Sequence, residues 1–380
     1  MRYIVSLLTL VALLFTSRGE ASACTSAVVS AQRSSEGVPL LWKHRDSQYC
    51  NTIVKHIAEE GFYAYTAIVY NTEEQRYTSA FAGINERSFG IISTSSRDLP
   101  HTPEAEYPKD RPSIPDNGPQ FTARALRECA SVEDFERMLQ QKIRKRGFTG
   151  NYAVADGSGA LAYFEVWDID YRRYDTSERK EGFDVRSNFS WASDPKTIWK
   201  SKRRYDIVMQ ELGEFELSEK FSPHYLISLS RSYNSTKYGD VLYNDNYNLC
   251  QNHTVARHSS VAAIVLICDS KEPRMLVMNG HPVASVAVPV YVRAKEDIPQ
   301  CVRGSEMTNL GQQFCAKAYS WVEKKRYRLN KEVISCVLRI ESPEIAIPQS
   351  MPKNIKTFNR KIDKQFSTYK NKVTKLLCNN

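Results

Sequence analysis

The chain holds no apolar run long enough to cross a bilayer. A membrane-spanning helix needs about 20 residues, and the run from Ile4 to Phe15 is only about a dozen. It also lacks CxxC, HExxH and any clustered His/Cys spacing, so no structural metal is expected. Charge is scarce where a polyanion channel would need it. Of the total +9, residues 351–380 supply +7 (eight Lys/Arg against Asp363), and Arg2 and Arg18 against Glu20 supply +1. Residues 24–350 keep about +1, which argues against a nucleic-acid or polyanion channel through the main body. No repeat and no linker divides 24–350. That length holds one large core or two modest domains.

What is present begins with an export signal. Arg2 opens it, the apolar run follows, and Ala21-Ser22-Ala23 is an A-x-A cleavage site. The expected organisation is a signal peptide over 1–23, a domain over 24–350 and a basic tail over 351–380. The expected location is outside the cytosol: periplasmic, secreted or associated with the envelope. Cutting after Ala23 makes Cys24 the first residue. A terminal cysteine joins a thiol nucleophile to an α-amine that titrates near pH 8, so the amine can serve as base for its own side chain. Two other readings stand beside this one. Cys24 could be lipidated, although Thr16 to Ala23 is a long polar spacer and Ala21 replaces the usual Leu-like residue. It could also be a structural cysteine that follows the cut. The eight other cysteines permit disulfides in an exported chain, and the sequence does not fix their pairing.

From Cys24 the pattern predicts a β-hairpin. TSAVVSA is small and β-branched, Ser34 to Gly37 is turn material, and an apolar strand ends in Lys43-His44-Arg45-Asp46. A turn centred on Ser35-Glu36 sets Cys24 opposite Ser47, with Asp46 one step away. A carboxylate there can orient the amine and keep the terminus from fraying; alternatively Asp46 is a turn or surface residue. Further strands are expected at 67–70, 78–82, 89–93, 152–156, 161–166, 259–268, 274–278 and 283–292. Residues 97–118 read as an exposed proline-rich loop. Helices are expected at 121–129, at 131–146 (capped by Ser131, ending on Arg144-Lys145-Arg146), at 200–212 and 222–231, and in the later part of 304–328. In the tail, Ile355, Phe358, Ile362, Phe366, Tyr369, Val373 and Leu376 recur at helical spacing. That basic amphipathic helix packs on its own domain, or else meets a membrane surface, the envelope or a partner.

CTSAVVSAQRSSEGVPLLWKHRD resembles the mature start of N-terminal nucleophile (Ntn) hydrolases. The nearest resemblance is to the carcinine hydrolase and isopenicillin N acyltransferase family, with penicillin V acylases and bile salt hydrolases more distant. GINERSFGI at 83–91, NYAVADGSGALAYFEV at 151–166, FDVRSNF at 183–189 and GHPVASVAVPVYV at 280–292 continue it in order.

The resemblance implies an α+β fold, the four-layer αββα sandwich, and cleavage of linear amides through a thioester with no cofactor. Cys24 matches the nucleophile, and Asp46 the carboxylate that binds its amine. Lys43 falls where bile salt hydrolases place an arginine beside the thiol; a cation there favours thiolate but loses the planar fork. Asn188 matches the oxyanion asparagine, and also sits in a glycosylation sequon. Arg204, in RRYDIV, matches a second active-site arginine. The chain departs at Ser93-Thr94-Ser95, where relatives carry an asparagine, and at Ser88, where they carry glycine. The implied partner is a small-molecule amide. Acyl transfer to an amine is the alternative, and a non-catalytic exported binding protein or lipoprotein is an alternative of another class. Nothing in the sequence sets the oligomeric state.

Overall fold

The computed structural model describes residues 24–71, 79–96, 98–100, 116–141, 145–193, 199–247, 249–250, 253–323 and 326–379. The expected signal segment, part of the 78–82 strand and most of the proline-rich loop lie outside the described residues.

Two antiparallel sheets form the centre. One holds six strands: β1 (Thr25–Val29), β2 (Leu40–Asp46), β10 (Phe183–Arg186), β14 (Ser260–Ile267), β15 (Arg274–Asn279) and β16 (Val288–Tyr291), in the order β10-β1-β2-β14-β15-β16. The other runs in chain order through seven: β3 (Thr52–Ile57), β4 (Tyr65–Tyr70), β5 (Ala82–Asn85), β6 (Gly90–Thr94), β7 (Gly150–Ala155), β8 (Leu161–Val166) and β9 (Tyr171–Asp175).

Alternation along each strand separates two apolar faces. Val28, Leu41, Ile264 and Val277 of the first sheet meet Ile68, Ile84, Ile92 and Ala153 of the second. The opposite face of the first sheet (Ala27, Trp42, Val185, Val265) is covered by α3 (Trp199–Gly213) and α4 (Pro223–Ser228). The opposite face of the second (Ala67, Ile91, Val154, Phe164) is covered by α1 (Gly118–Glu128) and α2 (Val132–Leu139). Four layers result, helix–sheet–sheet–helix. Gly83 permits a close approach of sheet and helix: a Cβ there would lie 2.8 Å from Leu126 of α1.

One end of the inter-sheet core is closed by four more helices: α5 (Gln300–Arg303), α6 (Glu306–Ala318), α7 (Lys331–Arg339) and α8 (Ile355–Asn379). In α8, Ile362, Phe366, Tyr369, Val373 and Leu377 are buried, and the Tyr369 hydroxyl donates to the Val283 carbonyl at 3.2 Å. Lys356, Lys361, Lys364, Lys372 and Lys375 point to solvent. Among the described residues no helix is long and apolar enough to cross a membrane.

Two expected helices differ from the structure. α2 stops at Leu139, and Arg146 folds back to donate to the Leu139, Trp167 and Asp170 carbonyls, so it caps the helix from beyond its end. The helix expected in the later part of 304–328 lies instead in the earlier part, over Glu306–Ala318. Rich in residues that favour strands, β17 (Tyr319–Glu323) forms a hairpin with β18 (Arg326–Leu329), which also pairs with β13 (Leu249–Cys250), while β11 (Asn234–Ser235) and β12 (Gly239–Asp240) form a separate short ribbon.

Candidate active site

The β1–β2 hairpin pairs Thr25 with His44 and Ser26 with Lys43. Extended one step, this register sets Cys24 opposite Arg45. The register read from sequence, with Cys24 opposite Ser47, is therefore two residues off, because the turn centres one residue earlier than expected. A shift of two keeps every side chain on its expected face.

Period two then divides β2. Leu41, Lys43 and Arg45 face the second sheet, whereas Trp42, His44 and Asp46 face the opposite way. Cys24, 3% exposed, precedes the inward-facing Ser26, whose hydroxyl lies 2.9 Å from that of Tyr163 in β8. Both Lys43 and Arg45 interact electrostatically with Cys24. Lys43 is buried and donates to the Phe81 carbonyl at 2.7 Å. Burial, reinforced by Arg45 and opposed by Cys24, pushes its ammonium down to about 8. The Arg45 guanidinium stacks 4.0 Å from the Phe81 ring centre and donates to the Tyr49 carbonyl at 3.1 Å.

The opposite face carries a charge cluster around Asp46, itself 1% exposed. Arg257 donates through Nε (3.0 Å) and Nη2 to Asp46 Oδ2. The Ser260 hydroxyl donates to Oδ1 at 2.9 Å, and His44 Nε2 lies 3.1 Å from the same oxygen. Burial alone would raise the Asp46 carboxyl, but Arg257 and His44 outweigh it and hold the group well below the usual carboxylate range.

Arg204 of α3 ties this cluster to the terminal segment. Its Nη1 donates to the Cys24 carbonyl at 2.9 Å and to the Thr25 hydroxyl at 3.1 Å. Its Nη2 donates to Asn188 Oδ1 at 2.9 Å, and its Nη1 is 3.7 Å from Asp46. Burial and Arg257 push Arg204 down to about 9 against the pull of Asp46 and Cys24. Asn188 follows β10 and donates through Nδ2 to the Ser95 carbonyl at 2.7 Å. The asparagine and the altered Ser93–Ser95 segment thus meet directly.

All five residues singled out in the sequence gather here: Cys24, Lys43, Asp46, Asn188 and Arg204. Asp46 is no surface turn residue. The sequence reading missed Arg257, Arg45, His44 and Ser260. Arg45 and His44 were within reach, since strand alternation places them beside Lys43 and Asp46. Arg257 had no such signal, because it lies 211 residues from its carboxylate partner.

Ser88 also has a structural account. It adopts φ 65°, in the left-handed region, and its hydroxyl donates to the Asp269 carbonyl at 2.7 Å. A backbone position that favours glycine is filled here by a serine with its own hydrogen bond.

Among the described residues no His/Cys/Asp/Glu group is arranged to hold a metal ion. No family model and no curated protein matches the chain. Among solved structures it is similar to a mutant of conjugated bile acid hydrolase from Clostridium perfringens, at 13% identity and TM-score 0.43, over 81% of this chain and 97% of that one. It is similar to penicillin V acylase from Agrobacterium tumefaciens at 12% identity and TM-score 0.43, over 71% and 86%. A Caenorhabditis elegans N-acylethanolamine-hydrolyzing acid amidase ortholog aligns at 15% identity and TM-score 0.40, over 64% and 93%.

Proposed function

We propose that this chain is an Ntn-type hydrolase of linear amides, exported and processed so that Cys24 becomes its first residue. The observation that carries the reading is the convergence on one cysteine: Lys43 and Arg45 on the inner side, and on the other Arg204, which joins the Cys24 carbonyl to Asn188 and reaches Asp46 at 3.7 Å. The quoted sequence patches that resemble Ntn hydrolases support it.

After cleavage the α-amine takes the thiol proton, and the thiolate attacks the amide carbon. A tetrahedral oxyanion forms, and Asn188 is the proposed side-chain donor. One such donor is worth about 3 kcal/mol. The α-ammonium protonates the leaving amine, which departs, and an acyl thioester remains on Cys24. Water adds to the thioester carbon with the amine again as base, and the acid leaves as the thiol re-forms. An amine in place of water would give acyl transfer, and product analysis in the presence of competing amines separates the two outcomes.

The test is Cys24→Ser in the processed chain. The expected result is loss of nearly all amidase activity with an unchanged melting temperature, because a serine alkoxide is far harder to generate than a thiolate. Activity within a few-fold of wild type would sink the assignment. A processed wild-type protein that binds an amide without turnover would favour a binding role.

A further inference from the structure

Cys50 and Cys315 stand apart from the proposed chemistry but close to its supports. Cys50 lies four residues beyond Asp46, near the end of the β2–β3 connection, and is half-buried. Its Sγ accepts from Gln312 Nε2 at 2.8 Å. Gln312 belongs to α6, and Cys315 follows it by three residues, which puts the two side chains on one helix face about 5–6 Å apart at Cβ. Cys315 is half-buried too, and its thiol lies 3.7 Å from the His258 carbonyl, next to Arg257. Neighbouring contacts hold the Cys50 segment beside α6: the hydroxyl of Ser305, just ahead of α6, donates to Asn51 Oδ1 at 3.5 Å, and the Thr52 hydroxyl donates at 2.7 Å to Asn279 Oδ1, whose own backbone N–H donates to the Met307 sulfur of α6 at 3.3 Å. The two thiols therefore sit on facing segments, one following Asp46 in the chain and the other packed against the backbone beside Arg257.

We infer that Cys50 and Cys315 form a disulfide when the protein meets a small-molecule disulfide, bracing the segment that follows Asp46 against the helix that packs beside Arg257. The exchange balances. The Cys50 thiolate attacks one sulfur of the small disulfide, forms a mixed disulfide and expels one thiolate. Cys315 gives its proton to solvent, attacks the Cys50 sulfur and expels the second. Two protein thiols lose two electrons and two protons, and one disulfide is reduced to two thiols. Burial, with Cys50 adding to it, pushes the Cys315 thiol up to about 12, so the closing step speeds up as pH rises. The bridge encloses most of the chain, and long enclosed loops are those whose cross-linking constrains the unfolded ensemble most.

The experiment equilibrates the full processed chain in graded mixtures of reduced and oxidised glutathione. Remaining thiols are then alkylated, and the protein is digested without reduction. The expected product is a peptide joining Cys50 to Cys315, absent from Cys50→Ser and from Cys315→Ser. The oxidised wild type is expected to melt roughly 5 °C or more above its reduced form, with no such rise in either variant. Recovery of both cysteines as separate alkylated peptides in excess oxidised glutathione overturns the inference. So does a peptide joining either one to any other cysteine. The glutathione readout needs no amide turnover, so failure here and failure of the proposed chemistry are distinguishable.

Discussion

At the scale of single residues, Lys43 and Asp46 carry opposite electrostatic burdens. Lys43 is a buried cation brought down to about 8, so its charge is present below that pH and lost above it. Between about 8 and its ordinary value the unfolded chain holds more protons than the folded one, so this group's contribution to stability rises with pH there. If the cation supports the Cys24 thiolate, activity has a falling limb near pH 8. Lys43→Arg, which stays charged, should move that limb upward by at least a unit. A limb that stays put in the arginine variant would remove Lys43 from the account. Asp46 is an anion held by two guanidinium groups and a histidine. Asp46→Asn leaves Arg257 buried without its counter-charge and should cost about 3 kcal/mol or more. Because the two partners act as a pair, Asp46→Asn with Arg257→Gln should cost clearly less than the sum of the single changes. Denaturant unfolding of the four proteins measures this, and additive costs would show that the pair is not coupled. In the sequence, Asp46 was visible through hairpin arithmetic, whereas Arg257 was not, since no local pattern links residues that distant.

At the scale of elements, legibility followed periodicity. β8 and β14 were found nearly to the residue because apolar runs bounded by turn residues mark buried strands. β3 and α7 were missed. TIVKHI at 52–57 mixes charge into a half-buried strand, and α7 is only nine residues long. The tail helix was clear from its stripe, yet its surroundings were not, because a basic amphipathic face reads alike on a membrane or on a protein core. In the structure, Phe366 is 1% exposed within the main core. Phe366→Ala should cost about 3–5 kcal/mol by leaving a cavity. kcat at a temperature well below unfolding should stay near wild type, since α8 supplies none of the groups gathered around Cys24. Measuring the unfolding midpoint and kcat on one preparation checks both. A lost kcat at unchanged stability would place α8 in the catalytic machinery.

At the scale of the whole molecule, two sheets and their helices bring the ends of β1, β2, β10 and β14 together. Segments scattered over more than two hundred residues of chain thereby share one site. The four layers followed from the resemblance, not from alternation alone, since a strand pattern does not say which sheet a strand joins. The central claim is that Cys24 becomes a terminal nucleophile, and an acyl-trapping mass measurement tests it most directly. The full chain and the chain cut after Ala23 are each mixed with an activated acyl amide, quenched in acid and weighed intact. The account predicts an acyl adduct, mapped to Cys24, only on the cut chain. An adduct of equal extent on the uncut chain, or one mapped to another residue, would contradict it.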